Sequence, residues 1–274
     1  MFKFPNNAVH NTGVYDLDGM TFDFSTRKYD LEISPPLMNA AGSLGFVPES
    51  SGPIDLAQLG AFITNPISYQ RRTPARRRTC QPYPGGYLLH SGYPNPGLRA
   101  AIKRYAARWA RSPIPIIVHL LAENVESISR MVPHLEELEG VMGVELGLPP
   151  AVGHQSAREL VQAALGELPL IVRLPLETAG VYAQSLANSQ VSAISLGPPR
   201  GALYDLQGQS VRGRLYGPSI FPQTLASVQE TASIGVPVIA GGGVYQQAQV
   251  EALIEAGAIA VQLDAVLWSL GWEG

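Results

Sequence analysis

Two stretches decide the fold: Met38-Asn39-Ala40-Ala41-Gly42-Ser43-Leu44-Gly45-Phe46 near the start and Val238-Ile239-Ala240-Gly241-Gly242-Gly243-Val244 near the end. Each is an apolar segment that runs into a glycine-rich turn. Such turns occur where a buried strand ends and bare backbone amides can approach a ligand. Between them, short Val/Ile/Leu runs alternate with amphipathic stretches of helical period. This alternation predicts a parallel sheet wound with helices, with a ligand site at one end of the sheet.

The length of 274 residues suits one (β/α)8 barrel, which typically needs about 250 residues. No linker or charge block divides the chain, so we predict a single barrel domain over 1–274, in which 1–36 form an N-terminal hairpin and extension. Charged residues make up 15% of the chain, against roughly 25% in an average globular protein. This low content indicates a large buried fraction or an extensive interface, and it favours a homo-oligomer or a subunit of a complex.

Composition also argues against several functional classes. The net charge of −3 does not favour nucleic-acid binding. The single cysteine, Cys80, and five dispersed histidines provide neither a disulfide framework nor the ligand spacing of a metal site. Apolar runs are too short to span a membrane, and no signal-peptide pattern opens the chain. We therefore expect a soluble, cytoplasmic protein without membrane association.

Eight strands are predicted, and every interval between them except one contains a helix-like segment. The strand segments are 37–42, 61–66, 114–120, 143–148, 170–175, 193–198, 237–243 and 258–264. An open doubly wound sheet would show the same local pattern, but eight units of similar size favour closure into a (β/α)8 TIM barrel. Segments 20–24 and 29–33 alternate with period 2, which predicts a hairpin that plugs the N-terminal end of the barrel. Too few residues follow the last strand for a full eighth helix, so we expect a shortened one.

Several segments resemble the class 1 dihydroorotate dehydrogenases and their relatives, which are FMN-dependent (β/α)8 barrels. The matching segments are Leu37-Met38-Asn39-Ala40-Ala41-Gly42, Gly60-Ala61-Phe62-Ile63-Thr64, Gly92-Tyr93-Pro94-Asn95-Pro96-Gly97, Val144-Glu145-Leu146, Leu215-Tyr216-Gly217-Pro218-Ser219-Ile220, Gly241-Gly242-Gly243-Val244 and Gly257-Ala258-Ile259-Ala260-Val261-Gln262. Their order and spacing together carry the resemblance. It implies FMN as the cofactor of a CH–CH oxidoreductase. The positions it places at the cofactor are Ala40, Ala41, Gly42, Asn65, Arg173, Ser195, Gly217, Gly242, Gly243, Asp264 and Ala265.

The chain departs from this family pattern where side chains perform chemistry. Asn65 stands where the family has a lysine, and Arg173 stands where a second lysine supports the reduced flavin. Arginine keeps the positive charge. The loop that holds the family's catalytic Cys or Ser reads Glu145-Leu146-Gly147-Leu148-Pro149-Pro150 here, without a thiol, hydroxyl or amide. The catalytic residue is therefore unknown, with His90 and Asn65 as candidates.

Two later residues, His154 and Ser156, fall at a predicted helix start, where a capping or solvated role is expected of them.

The predicted phosphate end of the cofactor site has a similar departure. Gly242 and Gly243 keep their amides, but Asp264-Ala265 replaces the Gly-Thr or Gly-Ser of relatives. Free N–H groups at a helix start attract phosphate, and a carboxylate placed there competes with it. A like-charge pair about 4 Å apart costs roughly 4 kcal/mol at an effective dielectric near 20. FMN binding thus depends on whether Asp264 points outward.

A cluster of arginines, comprising Arg71, Arg72, Arg76, Arg77 and Arg78, follows the second predicted strand. It belongs to the C-terminal face of the barrel, where barrel ligands bind, and guanidinium groups suit phosphate and carboxylate. The cluster predicts a small anionic ligand or an acidic partner, although a solvated loop explains it equally well.

Two functions remain open from the sequence. One is a divergent FMN oxidoreductase that acts on a substrate other than dihydroorotate. The other is a noncatalytic barrel, a pseudoenzyme that serves as a subunit or scaffold in a protein assembly.

Overall fold

The structure is a computed structural model that describes residues 20–25, 30–205 and 207–269. The strands in chain order are β1 (Phe22–Ser25), β2 (Asp30–Ile33), β3 (Leu37–Asn39), β4 (Phe62–Ile63), β5 (Thr79–Tyr83), β6 (Gly86–His90), β7 (Ile116–Leu121), β8 (Val141–Gly147), β9 (Leu170–Pro175), β10 (Ala193–Gly197), β11 (Arg200–Tyr204), β12 (Ser210–Tyr216), β13 (Val238–Gly241) and β14 (Ala258–Leu263). The helices are α1 (Leu98–Trp109), α2 (Val125–Glu136), α3 (His154–Ala164), α4 (Ala179–Leu186), α5 (Phe221–Ser233), α6 (Gln247–Glu255) and α7 (Val266–Ser269). Within these residues, no helix is long and apolar enough to cross a bilayer.

Eight parallel strands form the barrel, in the order β3-β14-β13-β10-β9-β8-β7-β4. A parallel bridge between Met38 and Ala61 joins the two outermost strands of this order. The buried Asn39 side chain strengthens the same seam, because it donates to the Ile63 carbonyl at 2.7 Å and accepts from the Ile63 N–H at 2.9 Å. The predicted (β/α)8 TIM barrel is confirmed, and each of its strands overlaps one of the eight predicted segments.

The lower half of the barrel interior is apolar. One buried cluster joins inward-facing residues of the barrel strands to Leu31 and Ile33 of β2. Its barrel members are Met38, Ala61, Ile63, Ile117, Ile171, Ala193, Ile239 and Ala260. Since β1 and β2 pair as an antiparallel hairpin, the predicted plug at the N-terminal end of the barrel is confirmed.

A second sheet, which the sequence did not predict, lies beyond the C-terminal ends of the barrel strands. It is antiparallel, with the order β11-β12-β6-β5. Its two halves are insertions that follow β4 and β10, so both extend from the end of the barrel where ligands bind in this architecture. This sheet forms one wall of the barrel mouth.

The last described helix, α7, spans Val266–Ser269 and follows β14, the strand that pairs with β3. Leu267 is buried there, whereas Trp268 is 39% exposed and donates from Nε1 to the Ser43 carbonyl at 3.0 Å. The expected shortened helix is present over these residues. The apolar residues Leu270 and Trp272, which the sequence predicts to pack at this seam or against another subunit, lie outside the described residues.

Candidate functional site at the barrel mouth

A layer of polar side chains lies above the apolar layer inside the barrel. Five strands contribute one residue each: His119 from β7, Glu145 from β8, Arg173 from β9, Ser195 from β10 and Gln262 from β14. Four of them are buried, and the Arg173 side chain is only 11% exposed. Polar groups buried this deeply need partners, and the layer supplies them internally.

Glu145 is the centre of this polar layer. Its Oε1 accepts hydrogen bonds from Ser195 Oγ at 2.6 Å and from Gln262 Nε2 at 2.7 Å. Its Oε2 lies 2.6 Å from His119 Nδ1 and 3.5 Å from Arg173 Nη1. Arg173 Nη1 also donates to Gln262 Oε1 at 2.6 Å. The guanidinium group of Arg173 is therefore held by partners within the barrel.

The pKa values within the layer follow from these contacts. Burial alone would raise the pKa of Glu145, but the charge of Arg173 and the bonds from His119 and Ser195 outweigh it and lower the pKa to about 2. Burial lowers the pKa of His119 more than its contact with Glu145 raises it. Glu145 is thus ionised and His119 neutral at physiological pH, so Nδ1 donates to the carboxylate.

Two glycines at strand ends make room for the larger members of the layer. A Cβ atom at Gly147 would come within 2.6 Å of His119 Nε2, and one at Gly197 within 2.8 Å of Arg173 Nε. His119 and Arg173 thus occupy the space that side chains at the ends of β8 and β10 would need. This packing explains why glycine, which has no side chain, occupies these two strand ends.

The residues predicted to contact a flavin near β3 and β4 lie together, but Asn65 is occupied. Its Oδ1 accepts from the Gly45 N–H at 3.2 Å, and its own N–H donates to the Gly45 carbonyl at 2.6 Å. Ala40 is buried, whereas Ala41 and Gly42 are partly exposed in the turn that follows β3. Asn65 therefore fixes the loop between β3 and β4.

At the predicted phosphate end, the Asp264 carboxylate is turned inward and is 3% exposed. Its Oδ1 accepts from the Ala265 N–H, and among the described residues Oδ2 has no hydrogen-bond partner. Burial raises the pKa of Asp264, and the N–H of Ala265, the charge of Arg173 and the backbone of Gly243 only partly offset this effect. The condition under which FMN phosphate could bind here, an outward Asp264, is not met.

The glycines predicted to cradle the cofactor are in close contact with other parts of the chain. A Cβ atom at Gly243 would lie 2.5 Å from the Phe221 nitrogen, and one at Gly217 would lie 2.4 Å from the Gly85 carbonyl oxygen. Gly242 accepts a bond at its carbonyl from Thr224 Oγ1 at 2.8 Å. These glycines permit backbone segments to approach one another. The residues at this end do not fit a phosphate group, and hence do not fit FMN in the position that the resemblance implies.

Aromatic side chains fill the space between α7 and the antiparallel sheet. Tyr216 and Trp268 have ring centroids 5.1 Å apart, and Tyr87 stacks on Tyr216 at 5.7 Å. A cleft of about 340 Å³ remains beside them, lined by Cys80, Tyr87, Leu89, Tyr245, Ala265 and Trp268. This volume is at the lower end of the ~300–1,000 Å³ typical of ligand sites.

The remaining candidates for catalysis do not converge on this cleft. His90 is half-buried on β6, opposite Thr79. Pro149 and Pro150 follow β8 as expected. His154 stacks on Tyr182, and Ser156 lies within α3 instead of capping it, because Gly153 is the N-cap residue. Among the described residues, no group of three or more His, Cys, Asp or Glu could hold a metal ion.

The arginine cluster Arg71–Arg78 is exposed on the loop before β5. Arg72 pairs with Glu123 at 3.2 Å and Arg77 donates to Gln209. A shallow cleft of about 440 Å³ lies beside Arg71 and Arg72, on the rim and away from the polar layer. The cluster therefore faces solvent at the C-terminal end of the barrel.

Sequence reasoning missed three members of the polar layer: His119, Glu145 and Gln262. Each is a polar residue within an otherwise apolar strand, two or fewer positions from the C-terminal end of that strand. This was the available signal, since a polar residue in a buried strand needs a partner on a neighbouring strand. His119 and Glu145 are such partners, because they lie opposite each other in the β7–β8 register.

Comparison with curated proteins places the chain among known barrels. It is 30% identical over 264 residues to the catalytic subunit of dihydroorotate dehydrogenase B (NAD(+)) from Pelobacter propionicus, a match that covers 88% of this chain and 86% of that protein. The corresponding subunit from Geotalea daltonii is 28% identical over 262 residues, with the same coverage. Dihydroorotate dehydrogenase A (fumarate) from Limosilactobacillus reuteri is 26% identical over 262 residues, covering 86% of this chain and 84% of that protein. No protein-family model matches the chain.

A closed (β/α)8 barrel with an antiparallel sheet over its mouth defines the class of protein. Similarity over nearly the whole barrel then identifies the chain as a divergent member of the dihydroorotate dehydrogenase family.

Proposed function

We propose that this chain is a noncatalytic member of the dihydroorotate dehydrogenase family whose barrel serves as a subunit or scaffold in a protein assembly. The observation that carries the proposal is the buried Asp264 carboxylate at the start of α7. The carboxylate accepts a hydrogen bond from the Ala265 N–H, a group that a cofactor phosphate would need, and its negative charge repels a second anion there. The site that would anchor FMN is thereby lost.

Two further observations support the loss of dihydroorotate chemistry. The loop after β8 presents Pro149 and Pro150, which cannot accept a proton from a substrate. The positive charge of Arg173, at the position of a family lysine, is directed to Glu145 and Gln262 within the barrel. Neither the base nor the flavin-facing charge of the family is available at the mouth.

The assembly role is supported by the relatives and by the surface. Two relatives bear the name of a catalytic subunit, so this barrel type occurs as a part of a larger enzyme. The low charged fraction of 15% fits an extensive contact, either with copies of the chain or with another subunit. We propose the exposed Arg71–Arg78 loop as a contact for an acidic partner or a small anion.

A divergent FMN oxidoreductase with a substrate other than dihydroorotate is the second candidate function. It is favoured by the retained amides of Gly242 and Gly243 and by the positive charge at Arg173. Bound FMN would supply hydride transfer, and Ala41, Gly42 and Arg173 would hold its ring. This function requires that Asp264 leave its present position.

The experiment is spectroscopic and kinetic. The protein is purified without added cofactor, and its flavin absorbance and its oxidation of dihydroorotate with added FMN and an electron acceptor are measured. The Pelobacter propionicus relative, purified in the same way, is the positive control. We expect a colourless protein without turnover. Bound flavin would contradict the proposal in favour of the second candidate, and dihydroorotate turnover would contradict both.

A further inference from the structure

Four residues that pair across the antiparallel sheet form a line, called here the arginine row, that begins in the cleft at the barrel mouth and extends beyond it. Cys80 of β5 pairs with Leu89 of β6, Leu89 pairs with Arg214 of β12, and Arg214 pairs with Arg200 of β11. Residues directly opposite one another in a sheet project from the same face. Because Cys80 and Leu89 line the cleft, Arg214 and Arg200 project from the face that bounds it.

Neither of these two arginines has an ion-pair partner in the described chain. No carboxylate of the described chain lies within 4.0 Å of either guanidinium group. The nearby Glu177 accepts a hydrogen bond from the backbone N–H of Arg200 at 3.1 Å. Burial and the charge of Arg214 lower the pKa of Arg200 more than Tyr93 and Glu177 raise it. Like charges placed opposite one another destabilise a sheet, and a bound anion would remove this cost.

The ring of Tyr93 packs against the guanidinium group of Arg214. The Arg214 Cζ atom lies 4.0 Å from the centroid of the Tyr93 ring, which is a cation–π contact. Tyr93 has a φ angle of 53°, in the left-handed region that residues other than glycine rarely adopt. The Tyr93 N–H donates to Ser91 Oγ at 3.2 Å and the Tyr93 carbonyl accepts from Asn95 Nδ2 at 3.0 Å, and both bonds maintain this conformation. Backbone strain of this kind is concentrated at ligand sites.

We propose that Arg200 and Arg214 form a phosphate subsite, and that the cleft takes the aromatic group of a small phosphate monoester. Two planar guanidinium groups match the charge and the oxygens of a dianionic phosphate. The rings of Tyr87, Tyr245 and Trp268 suit a flat aromatic group. The Asp264 carboxylate next to Ala265 repels an anion, and it therefore directs the phosphate toward the opposite side of the cleft, where Leu89 pairs with Arg214.

This subsite is distinct from the flavin phosphate position of the family, which lies between β13 and α7. It also goes beyond the proposed function, because ligand binding on the sheet requires neither flavin nor catalysis. The ligand class follows from the pairing of an arginine row with an aromatic cleft of about 340 Å³.

Isothermal titration calorimetry of the protein with phenyl phosphate tests the proposal. Inorganic phosphate, benzoate and phenol are titrated in parallel to separate the contributions of the ring and the dianion. We expect phenyl phosphate to bind at least about tenfold more tightly than each of the other three. Arg200→Gln and Arg214→Gln should each weaken phenyl phosphate binding by at least about tenfold, whereas Arg158→Gln, at an exposed arginine of α3, should leave it unchanged.

Several results would overturn this inference. They are no binding of phenyl phosphate to the wild-type protein, unchanged binding in both sheet-arginine variants, an equal loss in Arg158→Gln, and tighter binding of benzoate than of phenyl phosphate. Thermal unfolding of each variant establishes that it is folded. If the purified protein carries flavin, the proposed function fails, and the same titration of that protein still tests the arginine row.

Discussion

Arginines at the barrel mouth occur in two environments that differ in how their charge is neutralised. Inside the barrel, Arg173 has Glu145 and Gln262 as partners and is nearly buried. On the sheet above, Arg200 and Arg214 face each other without a carboxylate partner among the described residues. A positive residue at a family position is therefore not by itself a ligand contact. Its partners decide whether its charge remains available.

Two buried carboxylates repeat this contrast. Glu145 receives hydrogen bonds at both oxygens, and its pKa is lowered to about 2. Asp264 has one oxygen without a hydrogen-bond partner in the described chain, and burial raises its pKa. Ionised Glu145 therefore stabilises the folded barrel. Ionised Asp264 destabilises it, and Asp264 lies at the position where the resemblance places the cofactor phosphate.

The largest effect is expected from Glu145→Gln. This change leaves Arg173 buried without its counter-ion, and we expect a loss of about 3–5 kcal/mol in the free energy of unfolding. Urea denaturation measures it. Glu126→Gln, which removes an exposed pair with Arg130, is the control and should leave the denaturation midpoint nearly unchanged. An unchanged denaturation midpoint for Glu145→Gln would mean that buried Arg173 does not need Glu145 as its counter-ion. The contrast between Arg173 and the two sheet arginines would then be wrong.

The pH dependence of stability should have opposite signs at the two carboxylates. The pKa of folded Glu145, about 2, is below its ordinary value of 4.5, so its stabilisation is present above 4.5 and is lost as the pH falls toward 2. The pKa of Asp264 is raised, so ionised Asp264 destabilises the fold at neutral pH and this cost disappears as the pH falls. We therefore expect Asp264→Asn to be more stable than the wild type near pH 7, by about 1–3 kcal/mol, with a smaller difference near pH 4. Denaturation midpoints at both pH values measure this, and a destabilised Asp264→Asn protein near pH 7 would contradict it.

The smallest effect is expected on the sheet. In the absence of a ligand, Arg200→Gln removes a like-charge contact with Arg214, and we expect a gain of roughly 0.2–1 kcal/mol in stability. The gain should decline at high salt because partly exposed charges are screened. Thermal unfolding at low and high salt measures it, with Arg76→Gln as the control. A loss of stability at low salt would show that Arg200 already has a partner.

The barrel could be predicted from the sequence because its signals are local. Buried strands read as apolar runs, and the alternating segment over 29–33 marks the hairpin that supplies Leu31 and Ile33 to the interior. The antiparallel sheet escaped prediction because its strands are short insertions whose pairing depends on distant segments, such as Tyr216 of β12 opposite Tyr87 of β6. Polar residues such as Glu145 were visible, but their partners come from other strands at separations that sequence spacing does not reveal.

At the phosphate end, the sequence identified Asp264 as the decisive residue but not its direction. That direction is set by packing, since the carboxylate lies between the start of α7 and the turn after β13. Similarly, the arginine cluster Arg71–Arg78 was visible as a run, whereas Arg200 and Arg214 become neighbours only through the β11–β12 register.

Titration of FMN into the wild-type protein and into Asp264→Gly is the most direct test of the account. Because Asp264 blocks the amides that a phosphate would use, we predict no FMN uptake by the wild-type protein and measurable FMN affinity in the glycine variant. Equal or tighter FMN binding by the wild-type protein would contradict the central claim that this barrel has lost its cofactor site.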